Sequence, residues 1–483
     1  MIRLLIAFSF FFLIQAAAQD FSGTAKNKLP EIGVVASDAI SIDKEKEIGD
    51  ILMKQLLSQS GVIMDPVLDE YLNDVGNRLV AQADNVKFPF KFFWINDRQI
   101  NAFAFFGGHV GMHTGLMYHT ENESELASVL AHEISHVTQR HIARRIAAQN
   151  KTSPLQLASL FGSVLLAMAD PEAGMAALSA TQAASQQFAI NYTRSNEQEA
   201  DRVGFQMLDK AGFDTAGAAS FFGKLVEKYR VQSKPPQFLL THPLPESRVA
   251  DARSRQDLYQ RKNLPPSLSF HLAKARIQGR YLFSAKYNIE HYIASLEKNA
   301  YAMREAAEYG LAIAYYRNED YKEAEEVLSP LLESDPENLF YLDLATDVAI
   351  ALKQIEKARK TLELMAEKQP RNRIISLNLA NAALNEGRSQ QAIDVLTDYL
   401  LIDPDDALSY QLLSEAHSNE NNYLAMHQAK AEWLALLAAY PNAIDELQTA
   451  YNYAKNNNNN IEKQRIRARI EQIRDDQKRL KSL

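Results

Sequence analysis

The spacing of apolar residues along this chain changes repeatedly, and each change marks a different kind of element. Between residues 43 and 83 the period is helical. Ile48, Ile51, Leu52 and Leu56 share one face, and Val67, Leu68, Tyr71, Leu72, Val75 and Leu79 share another. Residues 89–95 (PFKFFWI) are aromatic and end in a β-branched residue, which predicts a strand. Short strands are also predicted over 100–104 and 108–112, around a tight turn at Gly107-Gly108. A helix then opens at Asn122, with Glu125 placed to complete a capping box. Leu126, Val129, Leu130, Ile134 and Val137 form its apolar face.

After a break at Asn263-Leu264-Pro265-Pro266 the chain turns to alanine, leucine, glutamate and tyrosine without strand signals. Asp335-Pro336, Gln369-Pro370 and Asp403-Pro404 recur at a 34-residue interval, as do Ala324, Ala358 and Ala392. Leu311, Ala345 and Leu379 keep the same period, and so do Leu328, Leu362 and Leu396. Helix pairs of this length, with small residues at the crossing and proline at the end, are tetratricopeptide repeats. A single repeat cannot bury its own face, so an all-α stacked array with a concave surface is predicted over 267–483. Its last helix follows an asparagine run at 456–460. Ile466, Ile470, Ile473 and Leu480 line one side, and the rest is basic through Arg465, Arg467, Arg469, Arg474, Lys478, Arg479 and Lys481. That helix reads as a cap with a solvated basic face; a peripheral contact with acidic lipid or an acidic partner is the alternative.

Length and composition narrow this picture. A chain of 483 residues exceeds one ordinary core, and two or more domains are expected. The net charge of -8 argues against a nucleic-acid partner. Arg3, the apolar run 4–14 and Ala16-Ala17-Ala18 read as a signal peptide over 1–18, cleaved before Gln19; a membrane anchor is the alternative, but the run is too short to span. The chain has no cysteine, which excludes a lipoprotein anchor through that residue and any disulfide, and the expected location is periplasm-like. Residues 19–42 read as a flexible tail. Residues 154–169 are apolar but too short to cross a bilayer, and residues 171–189 are rich in alanine and glutamine. They are expected to form a helical lid or arm near a cleft, or to touch a membrane surface or an unfolded chain.

The chemistry gathers at His132-Glu133-Ile134-Ser135-His136. Histidines four apart lie on one helix face and can grip one metal ion, while Glu133 can reach a water beside it. A third histidine in the HExxHxxGxxH manner is excluded, because His141 comes one position early and Gln139 stands where glycine is needed. His141 is therefore expected to be structural. The acids of a second helix are Glu197, Glu199 and Asp201. Glu197 and Asp201 share a face and Glu199 points away, so Glu197 is the expected ligand and Asp201 the carboxylate behind a ligating imidazole. Zinc peptidases also bind substrate backbone along an edge strand just before the metal helix. Gly108, His109, Val110, Gly111 and Met112 are the best candidate for it, although such glycines commonly only permit turns.

HExxH with this Glu-x-x-Ala-Asp pattern resembles peptidase family M48. Asn101-Ala102-Phe103-Ala104 with Gly107-Gly108, His136-Val137 running to Arg140-His141, and His242-Pro243 with Arg248 carry the resemblance further. It implies an α+β zincin-like metallopeptidase domain over 43–262, mostly helical with a small sheet. It also implies one zinc per chain on His132, His136 and Glu197, with Glu133 as general base and acid. In similar proteins a histidine placed like His242 can fill the open metal position and hold the enzyme latent. Alternatively His242 stabilises the oxyanion with help from Arg248, or it is a turn residue without a catalytic role. The two-part architecture is similar to periplasmic members that serve outer-membrane quality control in Gram-negative bacteria. That implies unfolded or stalled outer-membrane proteins as clients, chaperone-like activity, and the β-barrel assembly machinery as a partner of the repeats. The rival expectation is a tetratricopeptide adaptor with a latent or structural zinc site.

Overall fold

Helices α1 (Ile42–Gln59) and α2 (Pro66–Val80) follow the first apolar period of the chain. Asp65 caps α2 by accepting from the Leu68 N–H at 3.2 Å, and Pro66 pre-sets the first helical φ. The buried stripe Val67, Leu68, Leu72, Val75 and Leu79 then packs on a sheet. The computed structural model of the chain describes residues 40–59, 61–149, 194–231, 238–239, 242–244, 246–456 and 459–481. The expected signal peptide, the tail before residue 40 and the apolar stretch 154–169 lie outside the described residues.

The sheet comprises β1 (Val62–Ile63), β2 (Lys91–Ile95), β3 (Ala102–Phe105) and β4 (His109–His113), in the order β1-β2-β4-β3. β2 and β4 run parallel, and the other pairings are antiparallel. Strand alternation sends Phe92, Trp94, Ala102, Ala104, Val110 and Met112 into the core, where the Trp94 ring N–H donates to the Leu68 carbonyl at 3.0 Å. On the opposite face Phe103 and Phe105 stack, and Phe93 meets both edge-on. Gly107 (φ 78°) and Gly108 (φ 86°) turn the chain from β3 to β4 in left-handed backbone. α1 lies so close to this turn that a methyl group on Gly49 would come 2.0 Å from the Phe106 carbonyl oxygen. This order corrects one expectation. The stretch from Gly108 to Met112 offers no free edge, because β4 is paired with β2 on one side and β3 on the other. Among the described residues β1 and β3 are the edge strands, and β3 is the strand that packs most extensively on the metal-site helix.

That helix, α4 (Glu123–Thr138), is buried on nearly all sides. Asn122 caps it by accepting from the Glu125 N–H at 3.1 Å. Glu125 reaches one residue further back than a capping box requires, to the Glu121 N–H at 2.8 Å, and is also held by Lys224 and Ser220. After α3 (Thr114–His119) and α4 come α5 (His141–Gln149), α6 (Arg194–Lys210), α7 (Ala216–Val231) and α8 (Glu246–Gln256). α6 and α7 pack against α4.

From Leu268–Ile277 to Asn460–Lys481 the chain is a series of antiparallel helix pairs with the expected period. Ala324 and Ala392 are fully buried at the crossings, as are Leu328, Leu362 and Leu396 beside them. Glu319, Lys353, Gly387 and Asn421, again 34 apart, all adopt left-handed backbone between the paired helices (φ 68°, 62°, 80° and 57°). A backbone bond of 2.8–3.0 Å closes each helix end there, such as Arg388 N–H to the Ala383 carbonyl. The array is not a separate body. One hydrophobic core runs from Ile63 through α2 and α4 to Ile374, and the described residues from Ile40 onward belong to one compact unit. The last helix buries Ile466, Ile470 and Ile473, and its basic face is laced with acids, including Arg469 on Glu432 and Lys54 of α1 on Asp476. None of the described helices is long and apolar enough to cross a membrane.

Candidate active site

The helical repeat of α4 stacks His132 and His136 one turn apart, with their Nε2 atoms 3.0 Å from each other. α6, crossing α4, brings in Glu197, whose carboxylate oxygens lie 3.3 Å from His132 Nε2 and 3.4 Å from His136 Nε2. His242 enters from the segment before α8, with Nδ1 at 3.3 Å from both His132 Nε2 and Glu197. One ligand atom from each of these four buried side chains falls within 4.8 Å of the others. His242 is seated by the Phe238 ring, stacked at 4.7 Å, and by its backbone N–H donating to the Phe238 carbonyl.

Three further groups surround the cluster. Glu133 is fully buried, and neither of its carboxylate oxygens has a hydrogen-bond donor among the described residues; His242 Nε2 stands 3.4 Å away. Asp201 lies 3.0 Å from His132 Nδ1, on the side of the ring away from the cluster. Arg248 is buried and donates from Nε and Nη2 to Asp201 and from Nη1 to Glu197 and the Pro243 carbonyl, with its guanidinium over the Phe222 ring. Arg248, expected to assist an oxyanion, is thereby corrected. Its Nε, Nη1 and Nη2 donors are engaged behind Glu197 and Asp201.

The electrostatics fit a cation at the centre. Burial opposes charge on His132, yet Asp201 and Glu197 outweigh it and lift its pKa to about 10. Burial, then the neighbouring His132, pushes His136 well below its usual value. Glu197 is held well below the carboxylate range, because His242 and His132 overcome its burial. Burial raises Glu133. Imidazole nitrogens and carboxylate oxygens crowded at this distance repel one another unless a positive charge sits among them. This donor set, with a carboxylate left free beside it, is suited to a catalytic metal ion.

Two further groups were not anticipated as parts of the site. His141 Nδ1 lies 2.8 Å from His136 Nδ1, and His141 Nε2 lies 3.1 Å from Glu199. Glu199 does point away from the cluster, but it reaches His141, which stands behind His136. The candidate strand residues His109, Val110, Gly111 and Met112 stand apart from the cluster: Val110 and Met112 are in the core, and His109 bonds the Phe106 carbonyl on the sheet's other face.

Residues 66–256 match the model of peptidase family M48, and residues 349–416 match a tetratricopeptide repeat model. The chain is 42% identical over 468 residues to the β-barrel assembly-enhancing protease of Escherichia coli, covering 97% of this chain and 95% of that one. The chain belongs to peptidase family M48. It is also 45% identical over 418 residues to the putative β-barrel assembly-enhancing protease of Vibrio cholerae, with 86% of each chain covered. A more distant relative is the mitochondrial metalloendopeptidase OMA1 of Schizosaccharomyces pombe, 27% identical over 219 residues and covering 44% of this chain and 60% of that one. The enzyme is accordingly a metallopeptidase fused to tetratricopeptide repeats, and the cluster above is where this M48 chain would hold its metal.

Proposed function

We propose that this M48 enzyme is an exported, periplasmic zinc endopeptidase of a Gram-negative envelope. It acts on unfolded or stalled outer-membrane β-barrel proteins and carries chaperone-like activity. Its repeats dock those clients or the β-barrel assembly machinery. The observation that carries the reading is the convergence of His132, His136 and Glu197 on one point beside the carboxylate of Glu133, which has no hydrogen-bond donor among the described residues. The names of the two bacterial relatives supply the client class, and stacked repeats supply a surface for proteins.

One zinc ion per chain, when bound, supplies Lewis acidity that polarises the peptide carbonyl and activates water. Glu133 takes the proton of the attacking water and returns it to the leaving amine. Asp201 fixes the ring of His132, and Arg248 holds Asp201 and Glu197 in register. The outer edge of β3, beside α4, takes the place expected of 108–112 as the strand along which an extended substrate can pair. At its approach the Ile100 carbonyl already accepts from the Phe238 N–H at 3.2 Å.

That contact and the position of His242 Nδ1 favour the latch over the oxyanion role. With a metal held by His132, His136 and Glu197, the His242 imidazole would take the open position, while Phe238 of the same segment lies against the approach to β3. His242→Ala should raise cleavage, on the order of tenfold for a latch that leaves a tenth of molecules open. A loss of cleavage with zinc retained would return His242 to the oxyanion role. Glu197→Gln should lose zinc during dialysis that leaves the unaltered chain loaded, and metal analysis checks it. The function itself is tested by stripping the purified chain with a chelator, reloading zinc and adding an unfolded β-barrel protein. Cleavage should vanish and return. If neither the unaltered chain nor His242→Ala cleaves in the reloaded state, the adaptor reading, favoured by the presence of His242 in the cluster, replaces this one.

A further inference from the structure

The two stacked imidazoles of α4 are supported from behind in different ways. His132 Nδ1 faces a carboxylate, Asp201, at 3.0 Å. His136 Nδ1 faces a second imidazole, that of His141, at 2.8 Å. His141 in turn reaches Glu199 through Nε2 at 3.1 Å, and Glu199 accepts from Arg144 Nη1 at 2.9 Å. His141 is fully buried, while Glu199 and Arg144 are partly exposed at the outer end of the chain of contacts.

One assignment of protons satisfies all of these contacts with neutral rings. His136 keeps Nε2 bare toward the donor cluster and donates its Nδ1–H to His141 Nδ1. His141 donates its Nε2–H to the carboxylate of Glu199. In that arrangement His136 is locked in the tautomer a metal ligand needs, and its ring cannot rotate without breaking a buried hydrogen bond.

The backbone is built to make this contact. Were α4 to continue, residue 141 would stand about 140° around the helix from residue 136 and miss it. The helix instead ends at Gln139, and Arg140 takes a left-handed φ of 51°. Arg140 is held there by Glu45 and by the Ile40 carbonyl, and α5 restarts at His141 with its ring turned back on His136. α6 completes the arrangement with acids at alternate positions: Glu197 at the cluster, Glu199 behind His141, and Asp201 behind His132.

We propose that His141 is a positioning residue of the metal site, fixing the ring and tautomer of His136, with Glu199 and Arg144 anchoring it from the surface. This rests on the reading of His132, His136 and Glu197 as zinc ligands. His141 touches neither metal nor substrate, so its influence is felt in how firmly and in what geometry the metal is held.

The test uses the full-length, zinc-loaded chain and follows zinc transfer to a chromophoric chelator. Melting of the metal-free protein and the visible spectrum of the cobalt-substituted form are measured alongside. His141→Phe should release zinc about 10–100-fold faster and shift the cobalt bands, while the metal-free form melts where the unaltered chain does. His141→Gln keeps a donor and an acceptor at the position and should recover part of the loss. Glu199→Gln, at a partly exposed position, should release zinc about threefold faster. The proposal is overturned if His141→Phe and Glu199→Gln release zinc at the unaltered rate with unchanged cobalt spectra. Should His141→Phe not fold, Glu199→Gln decides by the same criterion. An unaltered chain that holds no zinc at all would instead overturn the metal assignment beneath it.

Discussion

Glu133→Gln should lower cleavage of an unfolded β-barrel protein by about 10²–10⁴-fold while leaving zinc content unchanged. Glutamine has nearly the shape of glutamate, and Glu133 contributes no atom to the four-residue cluster, so the metal ligands are not disturbed. What disappears is a proton acceptor with unusual surroundings. Glu133 is fully buried, both oxygens lack a donor among the described residues, and burial raises its proton affinity. A carboxylate in that condition is a stronger base than a solvated one, and one better matched to carrying a proton from water to amine. The comparison is best made in the His242→Ala background, where the latch no longer limits the rate. Turnover and zinc are then measured on the same preparation. Equal cleavage by the two proteins would remove Glu133 from the chemistry. Loss of zinc along with cleavage would show that the substitution had damaged the cluster and said nothing of proton transfer.

The parts of this enzyme that were legible in its sequence are those governed by local geometry. Stacking His132 on His136 follows from residues four apart on a helix, and the choice of Glu197 over Glu199 follows from the face it shares with Asp201. The 34-residue period is local too, because each pair of helices repeats the same crossing. The misses depend on non-local pairing or on backbone a side-chain pattern does not reveal. The segments around β2, β3 and β4 could be placed, but not their order. β4 pairs in parallel with β2, which leaves β3 outside, and nothing in three short apolar runs distinguishes that from a meander. The sequence sets His141 aside because it comes one position early for a third histidine ligand and Gln139 stands where that pattern needs glycine. The left-handed Arg140 brings it back, and a non-glycine residue gives no warning of such a turn. The same holds for Glu319, Lys353 and Asn421, which turn the array as Gly387 does without being glycine. Arg248 was assigned to the oxyanion on resemblance alone. It instead engages two acids of α6 that lie 47 and 51 positions earlier in the chain.

Arg276→Met should destabilise the chain by about 3–5 kcal/mol, the cost of stranding buried carboxylates without their partner. Arg276 stands in the first helix of the array, and its side chain is 2% exposed. Nε lies 2.7 Å from Asp65 at the start of α2, Nη2 lies 2.7 Å from Asp343 of a later repeat, and Nη1 donates to the Tyr309 hydroxyl at 3.0 Å. It therefore ties the peptidase part to two repeats at a single buried point, inside the core that both parts share. Burial opposes the charge on Asp65, but Arg276 holds its pKa below the ordinary value. Its contribution is thus present above the unfolded pKa of about 4 and is lost as pH falls below that. Trp94 belongs to the peptidase part and Trp433 to the array, so Trp433→Phe and Trp94→Phe versions let denaturation be followed from each side. Both probes should shift together in Arg276→Met. Adding Asp65→Asn, which retains the cap on Leu68 while removing one stranded charge, should return part of the loss. A shift below about 1 kcal/mol, in the range of an exposed ion pair, would mean that the joint is held by apolar packing and that this cluster is incidental to it.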